Sequence, residues 1–167
     1  MKVFLKESNI FFSGSINLKN SNRFIYLLNN SRNIINNIYL NTYGGSVDNS
    51  IMIIEHIRMY RNNIDITVCG TCQSAGTLIL AGATGRRLMT SNSYLMYHRT
   101  SFGNCDINNY SMKSINNIMK LNNEIEKQIY FKNGFDKHFF EEFDKSDIDF
   151  YLNSSKALKL KIIDGVV

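Results

Sequence analysis

Two loops hold the residue types that acyl-transfer chemistry requires. The first contains Gly44 and Gly45, and the second, residues 70–76, contains Ser74. A serine at the start of a helix lies in the positive end of the helix dipole, beside free backbone N–H groups. Glycines let a second stretch of backbone approach closely and donate N–H groups to a developing oxyanion. Each loop alone is more often a tight turn or a helix N-cap, but together they suggest a nucleophile beside an oxyanion site.

A serine nucleophile needs a general base, and the sequence offers three histidines. His56 falls inside an expected helix, where a solvated or packed histidine is the ordinary outcome. His138 lies among aromatic and charged residues, far along the chain from the expected strands. His98 ends an apolar strand at 94–97 and starts a loop, which presents its side chain at a strand terminus. The pattern therefore favours His98 as the partner of Ser74.

Strand and helix patterns alternate around the two loops. Strands are expected at 35–41 and at 64–69, where Gly70 ends the second strand. The helices of this region are expected at 22–30, at 46–60 with Ser46 as N-cap, and from 74 to about 83. Such alternation is typical of an α/β fold with βαβ units and a parallel sheet. Because functional groups collect beyond the carboxyl ends of such strands, we expect the two loops to meet.

The second half of the sequence adds short strands and a long helix. The expected elements are strands at 88–89 and 94–97, a helix from about 109 to 131, and a helix near 154–160. The long helix carries an apolar stripe of Met112, Ile115, Ile118, Met119, Ile125 and Ile129. No linker or repeat divides the sequence, so we expect a single domain over 1–167.

Composition argues against several classes of function. The chain is 44% hydrophobic and 20% charged, as in ordinary globular proteins, and it lacks the run of about 18 apolar residues that a membrane span requires. The net charge of +5 is scattered without a dense basic block, so we expect no nucleic-acid partner. We also expect no export signal. We expect Cys69, Cys72 and Cys105 to be reduced, partly buried thiols without a metal.

Five segments, in this order along the chain, resemble the ClpP (caseinolytic) serine peptidases. They are residues 5–14, 38–47 (IYLNTYGGSV), 69–87 (CGTCQSAGTLILAGATGRR), 92–99 (NSYLMYHR) and 157–167. Together they cover nearly the whole chain. The resemblance implies a ClpP/crotonase-like α/β fold with repeated βαβ units, a twisted parallel sheet and a protruding handle helix at about 109–131.

The same resemblance implies roles for individual residues. Ser74 would be the nucleophile, His98 the general base and Asp149 the carboxylate that orients the imidazole. Backbone N–H groups of Gly45 and Ala75 would form the oxyanion hole.

The choice of the aspartate depends on counting along the chain. Asp144 and Asp147 lie close by and could be solvated carboxylates. Counting back from Ala157 places Asp149, three residues before Leu152, at the position that matches the family. We therefore expect Asp149 rather than Asp147.

The chain also departs from the family's pattern. Tyr43 and Thr100 stand where the family usually has proline, so these loops lose a restraint on φ but keep their donors. Ile148 stands where the family tends to carry a basic residue that contacts a stacked ring. The sequence begins only a few residues before the matching segment 5–14, so we expect the N-terminal axial segment of the family to be missing.

The resemblance also implies an assembly and a cellular setting. We expect a homo-oligomer, a seven-membered ring alone or in a stacked pair, that admits peptides or unfolded proteins. A separate AAA+ ATPase unfoldase would consume ATP, and no metal or organic cofactor is expected. Asn, Ile, Lys, Phe and Tyr are abundant and have AT-rich codons, which suggests an organellar, endosymbiont, parasite or viral gene. We expect the protein in the cytoplasm, or in the stroma of a plastid or apicoplast-like organelle. The alternatives are a catalytically inactive ClpR-type ring subunit and an acyl-CoA hydratase or isomerase of the same general fold.

Overall fold

The expected α/β architecture is confirmed by a computed structural model, which describes residues 2–98, 111–136, 138–139, 141 and 148–167. The strands are β1 (Lys2–Lys6), β2 (Asn9–Ser13), β3 (Asn37–Thr42), β4 (Asp65–Gln73), β5 (Arg87–Met89), β6 (Tyr94–Tyr97), β7 (Phe150–Asn153) and β8 (Gly165–Val166). The helices are α1 (Leu18–Asn30), α2 (Val47–Met59), α3 (Ala75–Ala81), α4 (Met112–Lys132) and α5 (Ser154–Lys159).

All of these strands belong to one sheet, which is mainly parallel. Its order is β1-β2-β3-β4-β5-β8, and β6 pairs with both β4 and β7. The pairs β1–β2 and β6–β7 are antiparallel. Helix α1 connects the parallel neighbours β2 and β3, and α2 connects β3 and β4, so these segments form the expected βαβ units. The carboxyl ends of β3 and β4 therefore lie side by side.

Strand β4 is longer than the sequence pattern predicted, and the prediction that Gly70 ends it was wrong. Residues 66–68 pair with β5, whereas residues 71–73 pair with β6. Gly70 lies between these two halves at φ +106, and a Cβ there would be 3.0 Å from Oδ1 of Asn41. Glycine tolerates this conformation, which lets the strand change partners without ending. The strand therefore continues as far as the residue before Ser74.

Two antiparallel strands were not predicted from the sequence. Strand β1 forms a tight hairpin with β2 through Glu7 and Ser8, and β7 pairs with β6 over four residues. Both strands lie outside the βαβ alternation on which the sequence argument relied. The sheet thus gains an antiparallel partner beside β6, close to the point where His98 follows that strand.

Helices α2 and α3 pack closely on the sheet and hold the start of α3 in place. All seven residues of α3 are buried, as are Ile53, Ile54 and Ile57 of α2. A Cβ at Gly82 would come within 2.7 Å of the Ile54 side chain, so glycine allows the end of α3 to approach α2. Burying an aliphatic side chain stabilises the fold by roughly 1.5–3 kcal/mol. This packing fixes the position of the turn that precedes α3.

The long helix α4 begins at Met112, where the Ser111 side chain accepts a hydrogen bond from the Ser114 amide. Residues 109 and 110 of the expected handle helix lie outside the described residues. The expected stripe is divided between two environments. Ile115 and Ile129 are buried and Met119 and Ile125 are half-buried, whereas Met112 and Ile118 are exposed. Over the parts of the chain that the structure describes, no helix combines the length and apolar content needed to cross a bilayer.

Candidate active site

Ser74 occupies a strained turn between β4 and α3. Its backbone has φ 52 and ψ −131, in a region that residues other than glycine rarely adopt. Such a conformation costs of order 1–3 kcal/mol and is found mainly at functional sites. The Ser74 amide donates a 2.8 Å hydrogen bond to the carbonyl of Met96 on β6. Ser74 is the N-cap residue of α3, as the sequence allowed, but its side chain makes no capping hydrogen bond.

His98 lies beside Ser74 because β4 and β6 are parallel neighbours. Gln73 pairs with Met96, so the two chains leave the sheet at the same edge. Ser74 follows immediately on one strand, and His98 follows the end of the other. Nε2 of His98 is 2.7 Å from Oγ of Ser74, a normal hydrogen-bond distance for a hydroxyl and an imidazole. The structure therefore brings together the two residues that the sequence singled out as nucleophile and base.

The loop after β3 is held in place by hydrogen bonds on both sides of Gly45. Ile16 donates its amide to the Gly44 carbonyl at 2.8 Å and accepts from the Ser46 amide at 2.9 Å. The Gly44 amide donates to Oγ1 of Thr42 at 3.0 Å. Within the described ranges, no acceptor is found for the amides of Gly45 and Ala75. The assignment of these two amides as oxyanion donors stays a prediction.

Only glycine fits at positions 44 and 45. A Cβ on Gly44 would lie 2.7 Å from the Gln73 carbonyl oxygen and 3.3 Å from the Ala75 amide nitrogen. A Cβ on Gly45 would lie 2.2 Å from the Ile16 carbonyl oxygen. Both glycines also have positive φ, at 90 and 145. The expectation that the two loops meet is therefore met, and the contact requires the absence of side chains.

The first two peptide carbonyls of the turn are held by hydroxyl groups. The Ser74 carbonyl accepts from the Thr77 amide at 2.9 Å and from Thr77 Oγ1 at 2.7 Å. The Ala75 carbonyl accepts from Oγ of Ser50 on α2 at 3.0 Å. Sequence reasoning missed Ser50 and Thr77. The only feature of the sequence that could have indicated them is that each is a polar residue on the face of a helix where the pattern predicts burial.

Asp149 immediately precedes β7, and the strand register relates it to His98. Tyr97 pairs with Phe150 in the antiparallel ladder of β6 and β7. The ladder ends at this pair, so His98 and Asp149 are the next residues along the two chains, and a contact between their side chains stays a prediction. The Asp149 side chain is exposed. The alternatives Asp144 and Asp147 lie outside the described residues.

The other two histidines have different surroundings. His56 is part-buried in α2, and its Nδ1 lies 2.8 Å from the Met52 carbonyl. Because a carbonyl only accepts, Nδ1 carries the proton in that bond. The side chain of His138 is 89% exposed and lies 3.6 Å from Glu141. The surroundings of His56 agree with the expectation of a packed or solvated histidine.

Cys69 and Cys72 agree with the expectation of reduced, partly buried thiols. Cys72 is buried and Cys69 is half-buried, and both are free thiols. Burial raises the pKa of each thiol, so both resist forming the reactive thiolate. Cys105 lies outside the described residues. Among the residues that the structure does describe, no cluster of three or more metal-ligating side chains is found.

Comparison with known proteins gives a match over the full length. The family model described as Clp protease matches residues 1–167. An ATP-dependent Clp protease proteolytic subunit of Streptococcus suis is 26% identical over 133 residues, covering 78% of this chain and 67% of the relative. The protein of the same name from Streptococcus agalactiae serotype V is 25% identical over 172 residues, covering 98% and 86%. With the fold and the full-length match together, the chain belongs to the Clp protease family.

Proposed function

We propose that this chain is a serine-type endopeptidase, the proteolytic subunit of an ATP-dependent Clp protease. The observation that carries the proposal is the 2.7 Å contact between His98 Nε2 and Ser74 Oγ, on a serine whose backbone is held at positive φ. The printed names of the streptococcal relatives support the same activity. The substrates are peptide bonds of unfolded proteins and short peptides.

Attack on the substrate carbonyl begins at the Ser74 hydroxyl. His98 accepts the proton at Nε2, which requires the neutral ring to carry its own proton on Nδ1. Asp149 accepts from Nδ1–H, holds this tautomer and stabilises the imidazolium that forms. The pairing of Tyr97 with Phe150, the residues next to His98 and Asp149, supports this role. Proton transfer of this kind accelerates a reaction by roughly 10²–10⁴-fold.

The negative charge of the tetrahedral intermediate develops on the substrate oxygen. The amides of Gly45 and Ala75 donate to this oxygen, and each donor of this kind is worth about 10²–10³ in turnover. Collapse of the intermediate breaks the peptide C–N bond, and His98 returns its proton to the leaving amine. The acyl group then remains on Ser74 until water, activated by His98, hydrolyses the ester.

The chain assembles into rings that enclose these sites, either single or stacked, and an AAA+ ATPase delivers unfolded substrate. Apolar exposure on α4 supports a contact between subunits, because Met112 is 68% and Leu121 is 55% exposed. Ile118, at 39% exposure, lies on the same helix. An isolated subunit would leave this apolar surface in water.

The test combines covalent labelling with peptide hydrolysis. The unmodified protein is expected to cleave fluorogenic peptides and to react with a fluorophosphonate probe, and mass spectrometry should locate the adduct on Ser74. Ser74→Ala should abolish both reactions and leave the fold intact, because the side chain makes no capping bond. Ser155→Ala, at an exposed position of α5, is the matched control and should retain both.

Two outcomes would replace the proposal. Failure of the unmodified, assembled protein to label or cleave would indicate a catalytically inactive ring subunit. Binding of coenzyme A in calorimetry without peptide cleavage would indicate an acyl-CoA hydratase or isomerase, whose reaction does not use a Ser–His–Asp set.

A further inference from the structure

We propose that Thr77 and Tyr130 are positioning residues that aim the Ala75 amide at the reacting oxygen. This inference rests on the proposed peptidase function. Oγ1 of Thr77 lies 2.7 Å from the Ser74 carbonyl oxygen and 2.7 Å from the hydroxyl oxygen of Tyr130 on α4. A continuous hydrogen-bond relay therefore joins the long helix to the peptide that follows the nucleophile.

The direction of the protons in this relay follows from the acceptor at its end. The Ser74 carbonyl can only accept, so the Thr77 hydroxyl donates its single proton there. Thr77 Oγ1 must then accept from the hydroxyl of Tyr130. Burial raises the pKa of Tyr130, which favours the protonated hydroxyl as a donor.

Hydrogen bonds to the Ser74 carbonyl affect the Ala75 amide because the two groups belong to one planar peptide unit. The Ser74 carbonyl and the Ala75 amide are fixed in opposite directions across the same trans peptide bond. Two donors from Thr77, the amide at 2.9 Å and the hydroxyl at 2.7 Å, hold the carbonyl and so fix where the amide points. Donors on a carbonyl also polarise its peptide, which strengthens the N–H as a donor.

The surroundings make this relay rigid. Thr77 is 1% and Tyr130 is 6% exposed. The ring of Tyr130 packs against Tyr97 at 5.9 Å and against Phe135 at 5.2 Å between centroids. The next carbonyl, that of Ala75, lies 3.0 Å from Oγ of Ser50, whose single proton is shared with the Ser46 carbonyl at 3.1 Å. The peptide units on both sides of the Ala75 Cα are thus held by separate elements, α4 through Thr77 and α2 through Ser50.

The test removes one hydroxyl at a time and separates kcat from KM. Thr77→Val deletes the hydroxyl with little change of shape, and we expect kcat to fall about 10-fold or more, with KM unchanged, because a misdirected oxyanion donor weakens only the transition state. Tyr130→Phe should lower kcat less, by about threefold to tenfold, because the bond from Thr77 remains. Thr77→Ser keeps the hydroxyl and should restore most of the activity.

Tyr60→Phe is the matched control, because Tyr60 accepts a 2.9 Å hydrogen bond from the Ile35 amide in another part of the fold. It also removes a hydrogen-bonded tyrosine hydroxyl and should leave kcat unchanged. The relay also predicts that the double variant Thr77→Val/Tyr130→Phe loses no more kcat than Thr77→Val alone, because both changes break one chain.

The outcomes that overturn the relay differ from those that overturn the peptidase function. Unchanged kcat in Thr77→Val, an equal loss in Tyr60→Phe, or fully additive losses would each reject the positioning role. If the unmodified protein cleaves no peptide, the peptidase function fails by itself. In that case additive losses of unfolding free energy for Thr77→Val and Tyr130→Phe reject the relay, and non-additive losses retain it.

Discussion

Gly44 lies directly against Ser74: a Cβ built on Gly44 would be 2.7 Å from the Cβ of Ser74. The same atom would be 3.3 Å from the Ala75 amide nitrogen. Gly44→Ala should therefore push the two loops apart and displace the oxyanion donors. We expect peptide hydrolysis to fall about 100-fold or more, as when an oxyanion donor is lost.

Gly134→Ala is the matched control for this change. Gly134 also has positive φ, at 79, but a Cβ there meets nothing within 4 Å. The two variants share the cost of alanine at positive φ, roughly 1 kcal/mol. Activity measured at equal folded fraction should fall only in Gly44→Ala. Equal activity in the two variants would show that the contact with Ser74 is irrelevant to catalysis.

The strained backbone at Ser74 predicts which of two inactive variants, Ser74→Gly or Ser74→Ala, is the more stable. Its φ of 52 and ψ of −131 suit glycine far better than any residue with a Cβ. Ser74→Gly should therefore be more stable than Ser74→Ala, by about 1–3 kcal/mol, although both lack the nucleophile. Urea unfolding of the two inactive variants measures this difference. A less stable Ser74→Gly would mean that the turn is not strained.

Asp149→Asn tests the third member of the proposed triad. An amide in place of the carboxylate favours the wrong tautomer of His98, and the equivalent change in a serine protease costs about 10⁴ in turnover. Asp147→Asn is the control and should keep its activity. Steady-state hydrolysis of a fluorogenic peptide measures both variants, and equal rates would reject Asp149.

The link between Arg87 and Asp164 predicts a pH dependence of stability. The backbone amide, Nε and Nη2 of Arg87 donate to Asp164 at 2.8, 3.1 and 2.8 Å. The side-chain hydrogen bonds from Arg87 are the main reason that the pKa of Asp164 lies below its usual 3.8. The stabilisation is therefore present above the unfolded-state pKa and is lost as pH falls through the lower folded value.

Asp164→Asn should accordingly lower Tm at neutral pH by a small amount, because the pair is partly exposed. The difference from the unmodified protein should begin to shrink below about pH 4, where the unfolded-state carboxyl becomes protonated, and should vanish once the pH falls below the lower folded-state pKa. Thermal unfolding between neutral pH and about pH 3 measures this convergence. A difference in Tm that stays constant across this pH range would show that the Asp164 carboxylate is not the source of the pH dependence.

Ring stacking is expected to depend on apolar contacts of α4, since Ile148, 73% exposed, offers no charge for a contact between rings. Ile118→Asp should split paired rings, because it puts a charge into the proposed apolar contact. High salt should leave the pairs of the unmodified protein intact, because screening acts on exposed charges. Leu158→Asp on α5, at 43% exposure, is the control. Sedimentation that shows only single rings or monomers for the unmodified protein would end this proposal.

The sequence alone was sufficient to predict the βαβ units and the two loops. Turn glycines, N-cap residues and the spacing of apolar side chains act on neighbours in the chain, so their patterns can be read without a fold. The Ser46 side chain caps α2 as predicted, by accepting from the Asn49 amide. Strands β1 and β7 lacked such a local signal, because antiparallel pairing depends on which strand lies alongside.

Only the tertiary structure decided which distant groups meet. No residue near Gly70 indicated that β4 continues past it. Before Gly70 the strand pairs with β5 and after it with β6, and the second pairing brings the chain that follows β6 beside Ser74. Thr77 and Tyr130 are 53 residues apart, and their contact depends on how α4 packs against α3. Local patterns depend on a few consecutive residues, whereas these contacts depend on the packing of the whole chain, which no short window of sequence contains.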